Sequence, residues 1–344
     1  MRRSLSVAIT IMFLAAFVVA LAAPTVRAEN ITLTYSNFFP PTHVQSKLAE
    51  SWCQEVEKRT EGRVKVQYFP GQTLTKGNVC YDGVVNGLSD MGLSVLAYTR
   101  GRFPVMEVVD LPLGYKNGRQ ATAVINEVYE KLQPKELMDT QVMYLHAHGP
   151  GFPWTRKKEV HKLEDMKGLK LRAHGTSAKI VEKLGATPVA KPMPETYQML
   201  QKGVCDGAMY PPESNKGWKL GEVVDYGILA YGSAYTTSFF VVMNKNKWAK
   251  ISPEDQKVIM EINKEWSKKT GEAWDSSDEE GIAFFKEKGG KLIPLDDAEN
   301  ARWAEAVKPI LTEYVDKTNQ AGLPGDQALA AAQEAVKKFG EMYK

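Results

Sequence analysis

At 344 residues, with 44 Lys and Arg against 41 Asp and Glu, the chain has too small a charge excess to be drawn broadly to nucleic acid or anionic lipid. Three cysteines, Cys53, Cys80 and Cys205, are too few for a disulfide scaffold, and their spacing matches no zinc motif. The length suits two lobes, each with a core of its own.

The chain opens on basic Met1-Arg2-Arg3, runs apolar from Leu5 to Ala23 and closes with Val26-Arg27-Ala28. This is the order of a secretory signal peptide cut after about Ala28; uncut, an apolar run of that length would nearly span a bilayer. Losing residues 1–28 removes Arg2, Arg3 and Arg27, so the 44 basic side chains become 41 and match the 41 acidic ones. A near-neutral chain beyond the membrane is expected.

From Ile31 to Phe38 the residues alternate as in a strand, and Thr42 to Gly62 is an amphipathic helix that Gly62 closes. Arg63 to Phe69 is a strand, Pro70-Gly71 a turn, Cys80 to Asn86 a helix and Asp90 to Val95 a strand. That βαβαβ order predicts an α/β fold with a parallel, doubly wound sheet. Asn117 to Asp139 is predicted helical and Gln141 to His148 extended.

After Gly151 the pattern restarts, with strands at Gly168 to Arg172, Thr187 to Ala190 and Asp206 to Tyr210, and helices at Ser177 to Leu184 and Pro194 to Lys202. Tyr81 to Asp90 and Tyr197 to Asp206 share Tyr, Gly and Asp at equal spacing, with Gly placed to cap a helix and Asp to lead into a strand. The halves therefore read as related lobes. Ser238 to Met243 contains Phe239-Phe240-Val241-Val242, a buried strand able to return the chain to the first lobe. Ser252-Pro253-Glu254-Asp255 starts a helix that continues to Lys288. A short strand at Lys291 to Leu295 and helices at Asp297 to Thr318 and Asp326 to Lys344 follow, the last packed across the back. The expected division is residues 29–150 plus about 238–275 for the first lobe and 151–237 plus about 276–320 for the second, with 321–344 as the C-terminal helix.

The chain contains no G-x-S-x-G, Walker loop, H-E-x-x-H or complete G-x-G-x-x-G. His146 and His148 fall on one side of a strand, yet no carboxylate lies close in sequence, so no metal and no cofactor are expected. His148 with His174 is the one acid/base pair an enzyme reading could use. Cys53 and Cys80 are the pair closest in sequence for a bridge, and Cys205 suits a buried thiol. Arg172 ends a strand, where doubly wound sheets place ligands, and its planar fork of donors matches a carboxylate.

Several segments resemble the periplasmic solute receptors of tripartite ATP-independent periplasmic (TRAP) transporters, the dicarboxylate-receptor-like DctP family. They are Glu55 to Pro70, Gly87 to Gly92, Leu111-Pro112, Leu163 to Arg172, Leu184 to Pro188 and Tyr197 to Gly207. The resemblance implies two α/β lobes of a clamshell, joined by hinge strands and a long helix, that close on a small organic acid and deliver it to an ion-driven permease in the membrane. It implies no catalysis, and it makes Arg172 the partner of the ligand carboxylate. Where sialic-acid-type receptors carry a second Arg and an Asn, this chain has Phe152 and Tyr210. With Phe38, Phe39 and Trp154 these residues predict a pocket for an aromatic or hydrophobic monocarboxylate, such as an indole or phenyl acid. A C4 dicarboxylate, an aliphatic keto acid or a receptor of an ATP-driven importer are the alternatives. Topology adds Asn37, Tyr98, Tyr235 and Ser238 as candidates, and Glu213 as an acceptor for a ligand amine or hydroxyl.

Overall fold

In the computed structural model residues 30–343 are described, so the expected signal segment lies outside the described residues. The strands are β1 (Ile31–Asn37), β2 (Val64–Phe69), β3 (Met91–Val95), β4 (Thr140–Ala147), β5 (Phe152–Thr155), β6 (Lys170–Ala173), β7 (Thr187–Ala190), β8 (Gly207–Tyr210), β9 (Tyr226–Leu229), β10 (Ser238–Asn244) and β11 (Lys291–Pro294). They form two sheets, ordered β2-β1-β3-β10-β4 and β11-β9-β5-β8-β6-β7.

The two sheets repeat one plan. In the first, β2, β1 and β3 are parallel and β10 runs antiparallel to both β3 and β4. In the second, β7, β6 and β8 are parallel and β5 runs antiparallel to both β8 and β9. The parallel trio of each sheet is what the βαβαβ order predicts. The reversed strand arrives from the other half of the chain, so no local period announces its direction. The chain thus crosses between sheets three times, at residues 148–151, at 230–237 and again between β10 and β11, and the first two crossings meet where Gly151 N donates to Tyr235 O at 2.8 Å. β10 returns the chain to the first sheet, as its apolar run predicts.

The helices that matter here are α1 (Val44–Arg59), α2 (Cys80–Val85), α3 (Gly118–Leu132), α4 (Gly175–Lys183), α5 (Thr196–Gln201), α6 (Pro253–Glu287), α7 (Asp297–Val307), α8 (Pro309–Gln320) and α9 (Gly325–Met342). The repeated ten-residue segments fold alike. Gly87 and Gly203, at φ 77° and 69°, close α2 and α5, with Leu88 N donating to Gly83 O (2.8 Å) and Val204 N to Met199 O (2.9 Å). These positive φ values are strained for other residues, which explains the spacing. Asp90 accepts from Thr34 N and Asp206 from Lys170 N, each at 2.8 Å, tying the incoming strand to its parallel neighbour.

α3 stops at Leu132 rather than Asp139, because Gln133 turns left-handed (φ 41°) and Pro134 follows. Pro309 likewise divides the expected Asp297 to Thr318 helix into α7 and α8. Ser252 caps α6 by accepting from Asp255 N at 3.1 Å. This 35-residue helix packs on α1, α3 and β4 along one part and on the short Ser214–Gly217 helix along another, so it braces both sheets. α9 lies along α3, with Gln120 Nε2 donating to Val336 O at 2.8 Å. No helix among the described residues is long and apolar enough to cross a membrane.

Alternation along the first sheet separates two cores. Cys53 packs with Leu33, Tyr35 and Leu93 on one face, and Cys80 with Val84, Leu145 and Phe240 on the other. A bridge between them is therefore excluded, and all three cysteines are free and buried. Burial pushes the Cys80 thiol up to about 12.

Candidate functional site

Arg172 occupies the second sheet between β7 and β8 and is fully buried. Its Nε donates to Lys191 O at 2.8 Å and its Nη1 to Met209 O at 3.4 Å, while Nη2 is buried without a partner. Its bonds go to neutral carbonyls, the Tyr98 hydroxyl lies close by, and no carboxylate among the described residues meets this guanidinium. Taking a charge out of water costs several kcal/mol unless an opposite charge repays it, so the position suits an incoming anion. Tyr98, Tyr235 and His174 surround it. Burial and then the Arg172 charge push His174 well below its ordinary value, so its ring is neutral. Tyr235 Oη and His174 Nδ1 are also buried and unpartnered, so polar groups converge here with capacity to spare.

Close to Arg172, whose Nη1 reaches Met209 O in its wall, is a cavity with about 30 Å³ of free room. Phe38, Phe39, Trp218, Phe239 and Trp274 supply flat apolar faces, and Tyr98, His148, His174, Tyr210, Glu213 and Tyr235 supply polar ones. Phe239 is near-parallel to Phe38 (centroids 6.3 Å, 9° between planes) and to Trp274 (5.4 Å, 28°). These rings pack on one another and give the cavity wall flat apolar faces.

Among the expected residues, Phe38, Phe39, Tyr98, Tyr210, Glu213 and Tyr235 line this cavity, and Arg172 joins it through Met209. Four others stand behind the wall. Asn37 donates to Tyr68 Oη at 2.7 Å and accepts from Phe39 N at 3.0 Å, which fixes the turn carrying Phe38 and Phe39. Ser238 donates from N (2.8 Å) and Oγ (2.6 Å) to Asp110. Trp154 stacks on Tyr210 (5.3 Å, 6°) and donates to its carbonyl at 2.9 Å. Phe152 packs edge-on against Tyr231 at 5.0 Å. Because Phe152 and Trp154 are two apart in β5 they share the face that packs into the core with Phe285, not the face toward the ligand. His148, His174, Trp218, Phe239 and Trp274 were not assigned to the wall from sequence. Trp274 sits mid-helix in α6 and Phe239 is one of two adjacent Phe, so only packing tells which ring faces the cavity.

The polar wall has a defined proton arrangement. His43 Nδ1 accepts from Gln45 N at 3.2 Å, which leaves Nε2 to donate to Glu213 Oε2 at 3.0 Å. Ser214 Oγ donates to Glu213 Oε1 at 2.6 Å, and Glu213 N donates to Asp278 at 2.9 Å. Burial, reinforced by the Glu213 charge, pushes the Asp278 carboxyl well above the usual range. His146 stacks on Phe239 (4.7 Å, 4°), accepts from Trp274 Nε1 at 3.1 Å and is lowered by burial to about 3. His148, lowered by burial to about 4, holds Gly149 O at 2.5 Å through Nδ1. Among the described residues no three potential ligands gather around a metal position.

Asp110, which holds Ser238, is raised by burial to about 7 from 3.8 in spite of the Ser238 bonds. Between those values the fold retains a proton that the unfolded chain has released, so stability is lost as pH rises from 3.8 to about 7. Asp110→Asn keeps an acceptor for Ser238 N and removes this dependence. The variant should gain on the order of 2–4 kcal/mol at pH 8 relative to the parent, and nothing near pH 4. Denaturant melts at the two pH values check this; an equal difference at both would refute it.

The sequence model for bacterial extracellular solute-binding proteins, family 7 (DctP), matches residues 35–318. A TRAP solute-binding protein of Rhodoferax ferrireducens, in complex with copurified benzoate, is 27% identical with a TM-score of 0.86, covering 92% of this chain and all of that one. A TRAP periplasmic solute-binding protein of Bordetella bronchiseptica with bound (R)- and (S)-mandelate is 30% identical with a TM-score of 0.83, covering 90% of this chain and 99% of the other. The C4-dicarboxylate-binding protein DctP of Rhodobacter capsulatus is 25% identical over 92% of this chain and 94% of its own length. Two mixed sheets exchanging strands across three crossings, a helix bracing both and a match over most of the length lead to one assignment: the chain belongs to the DctP family of two-lobed TRAP periplasmic solute receptors.

Proposed function

We propose that this receptor captures an aromatic or similarly flat hydrophobic monocarboxylate, pairs its carboxylate with Arg172 and hands it to the permease subunits of its transporter. The observation that carries the reading is the buried guanidinium with an unpartnered Nη2 close to a cavity lined by Phe38, Phe39, Trp218, Phe239 and Trp274. Offset and edge-on ring contacts add to area burial for an aromatic guest. Relatives of similar fold that hold benzoate and mandelate support it. A C4 dicarboxylate fits less well: the cavity lining includes no Lys or Arg for a second carboxylate, and Glu213 would repel one. Export with cleavage after about Ala28 and residence in the periplasm belong to the same proposal.

Capture proceeds by closure about the crossings at 148–151 and 230–237, with residues 29–150 and 151–237 forming the main parts of the two lobes. Contacts across that division support it: Lys179 pairs with Glu107 at 2.6 Å, Met193 N donates to Tyr98 Oη at 2.9 Å, and His43 meets Glu213. As water leaves, the Arg172 pairing strengthens in the lower dielectric.

A thermal-shift screen tests the ligand class. At a hundredfold excess over Kd an aromatic monocarboxylate should raise Tm by on the order of 5 °C, and succinate, fumarate and malate should leave it unmoved. A shift with the C4 diacids alone would overturn the aromatic reading.

A further inference from the structure

We infer that the captured acid carries an N–H or O–H donor separate from its carboxyl group, accepted by Glu213 and by Nε2 of His148. This rests on the aromatic-acid reading and narrows it. The partner of His148 Nδ1 is the Gly149 carbonyl, which can only accept, so Nδ1 holds the ring proton. Burial keeps the ring neutral. His148 Nε2 is then a lone pair on a residue that lines the cavity.

Glu213 borders the same cavity with 3% of its surface exposed. His43 Nε2 and Ser214 Oγ each bond one carboxylate oxygen. A carboxylate offers about four lone-pair sites, so acceptor capacity remains after both bonds are made. The tautomers fixed by Gln45 N and Gly149 O leave this stretch of wall accepting on both residues. The charge balance agrees: Arg172 meets the ligand anion, and Glu213 is left as a buried anion that attracts the positive end of a donor. A guest presenting only carbon there would strand both acceptors away from water. A phenolic O–H, a ring N–H or an ammonium group would satisfy them, and a buried bond to a charged acceptor is worth roughly tenfold to a hundredfold in affinity.

The test is calorimetry on the full chain as it is purified after export, using phenylacetate, its 3- and 4-hydroxy derivatives, phenylalanine, and indole-3-acetate with its 1-methyl analogue. At least one donor-bearing acid is expected to bind about tenfold or more tightly than its donor-free counterpart. That ratio, which a general loss of affinity within one variant does not move, should fall below about threefold in both His148→Phe and Glu213→Gln. The inference is overturned if no donor-bearing acid exceeds its counterpart by threefold in the parent, or if the preference survives in both variants. If phenylacetate binds and its binding needs Arg172 while donors add nothing, only this inference falls. If none of these acids binds the parent, the aromatic-acid reading falls and takes this one with it.

Discussion

Arg172→Met is expected to weaken binding of an aromatic carboxylate by roughly two to three orders of magnitude, because truncating one side of a buried charge pair costs about 2–5 kcal/mol. Met is close in length and fills irregular space, so the cavity wall is kept while the fork of donors is lost. Ligand-free stability should change little. The variant strands Lys191 O and Met209 O, which Arg172 now bonds, at about 1 kcal/mol each. It also removes a buried charge that no carboxylate among the described residues neutralises, and that relief works in the opposite direction. The expected pattern is a nearly unchanged melting temperature without ligand and an almost complete loss of the ligand-induced rise. Arg172→Lys should fall between, since a point charge replaces a planar fork. Calorimetric affinity within about fivefold of the parent for Arg172→Met would remove the anchor from this position.

The division between what was readable beforehand and what was not follows physical range. Gly87 and Gly203 could be placed as helix caps because their left-handed backbone is a local demand. Arg172 could be placed in a strand of the doubly wound sheet, where β6 holds it, and the resemblance to a receptor family suggested the role proposed for it. The strands β5 and β9 were not anticipated: neither follows a helix closed by a left-handed glycine, the local signal that marks the equally short β7 and β8. The orientation of Phe152 and Trp154 failed for a related reason. Chain position put them near the site, but their shared face is set by Phe285 from α6, more than a hundred residues away. Trp218, Phe239 and Trp274 come from three separate parts of the chain, and their grouping is a product of the crossings between the sheets. Local backbone requirements are thus readable, whereas the direction of an aromatic ring within a long-range contact is not.

That long-range contact also sets the sign of Gly281→Ala. In a helix interior this change ordinarily stabilises by about 0.5–1 kcal/mol, since Gly loses the most backbone entropy on folding. Gly281 lies within α6 where the helix meets the Pro211 to Glu213 turn, and a Cβ there would press on Pro212 O while lying 2.6 Å from its carbonyl carbon and 2.8 Å from Glu213 Cα. All three are backbone atoms and cannot rotate aside. Overpacking of this kind costs about 1–3 kcal/mol, so the net effect should be a loss, lowering Tm by several degrees for a chain of this size. Binding should weaken as well, because the same contact holds Glu213 N against Asp278 at 2.9 Å and sets where the Glu213 carboxylate borders the cavity. Thermal melts with and without a bound acid separate the two effects. A variant that melts at or above the parent would mean that α6 and the turn can part at no cost, and the placement of Glu213 would then need another support.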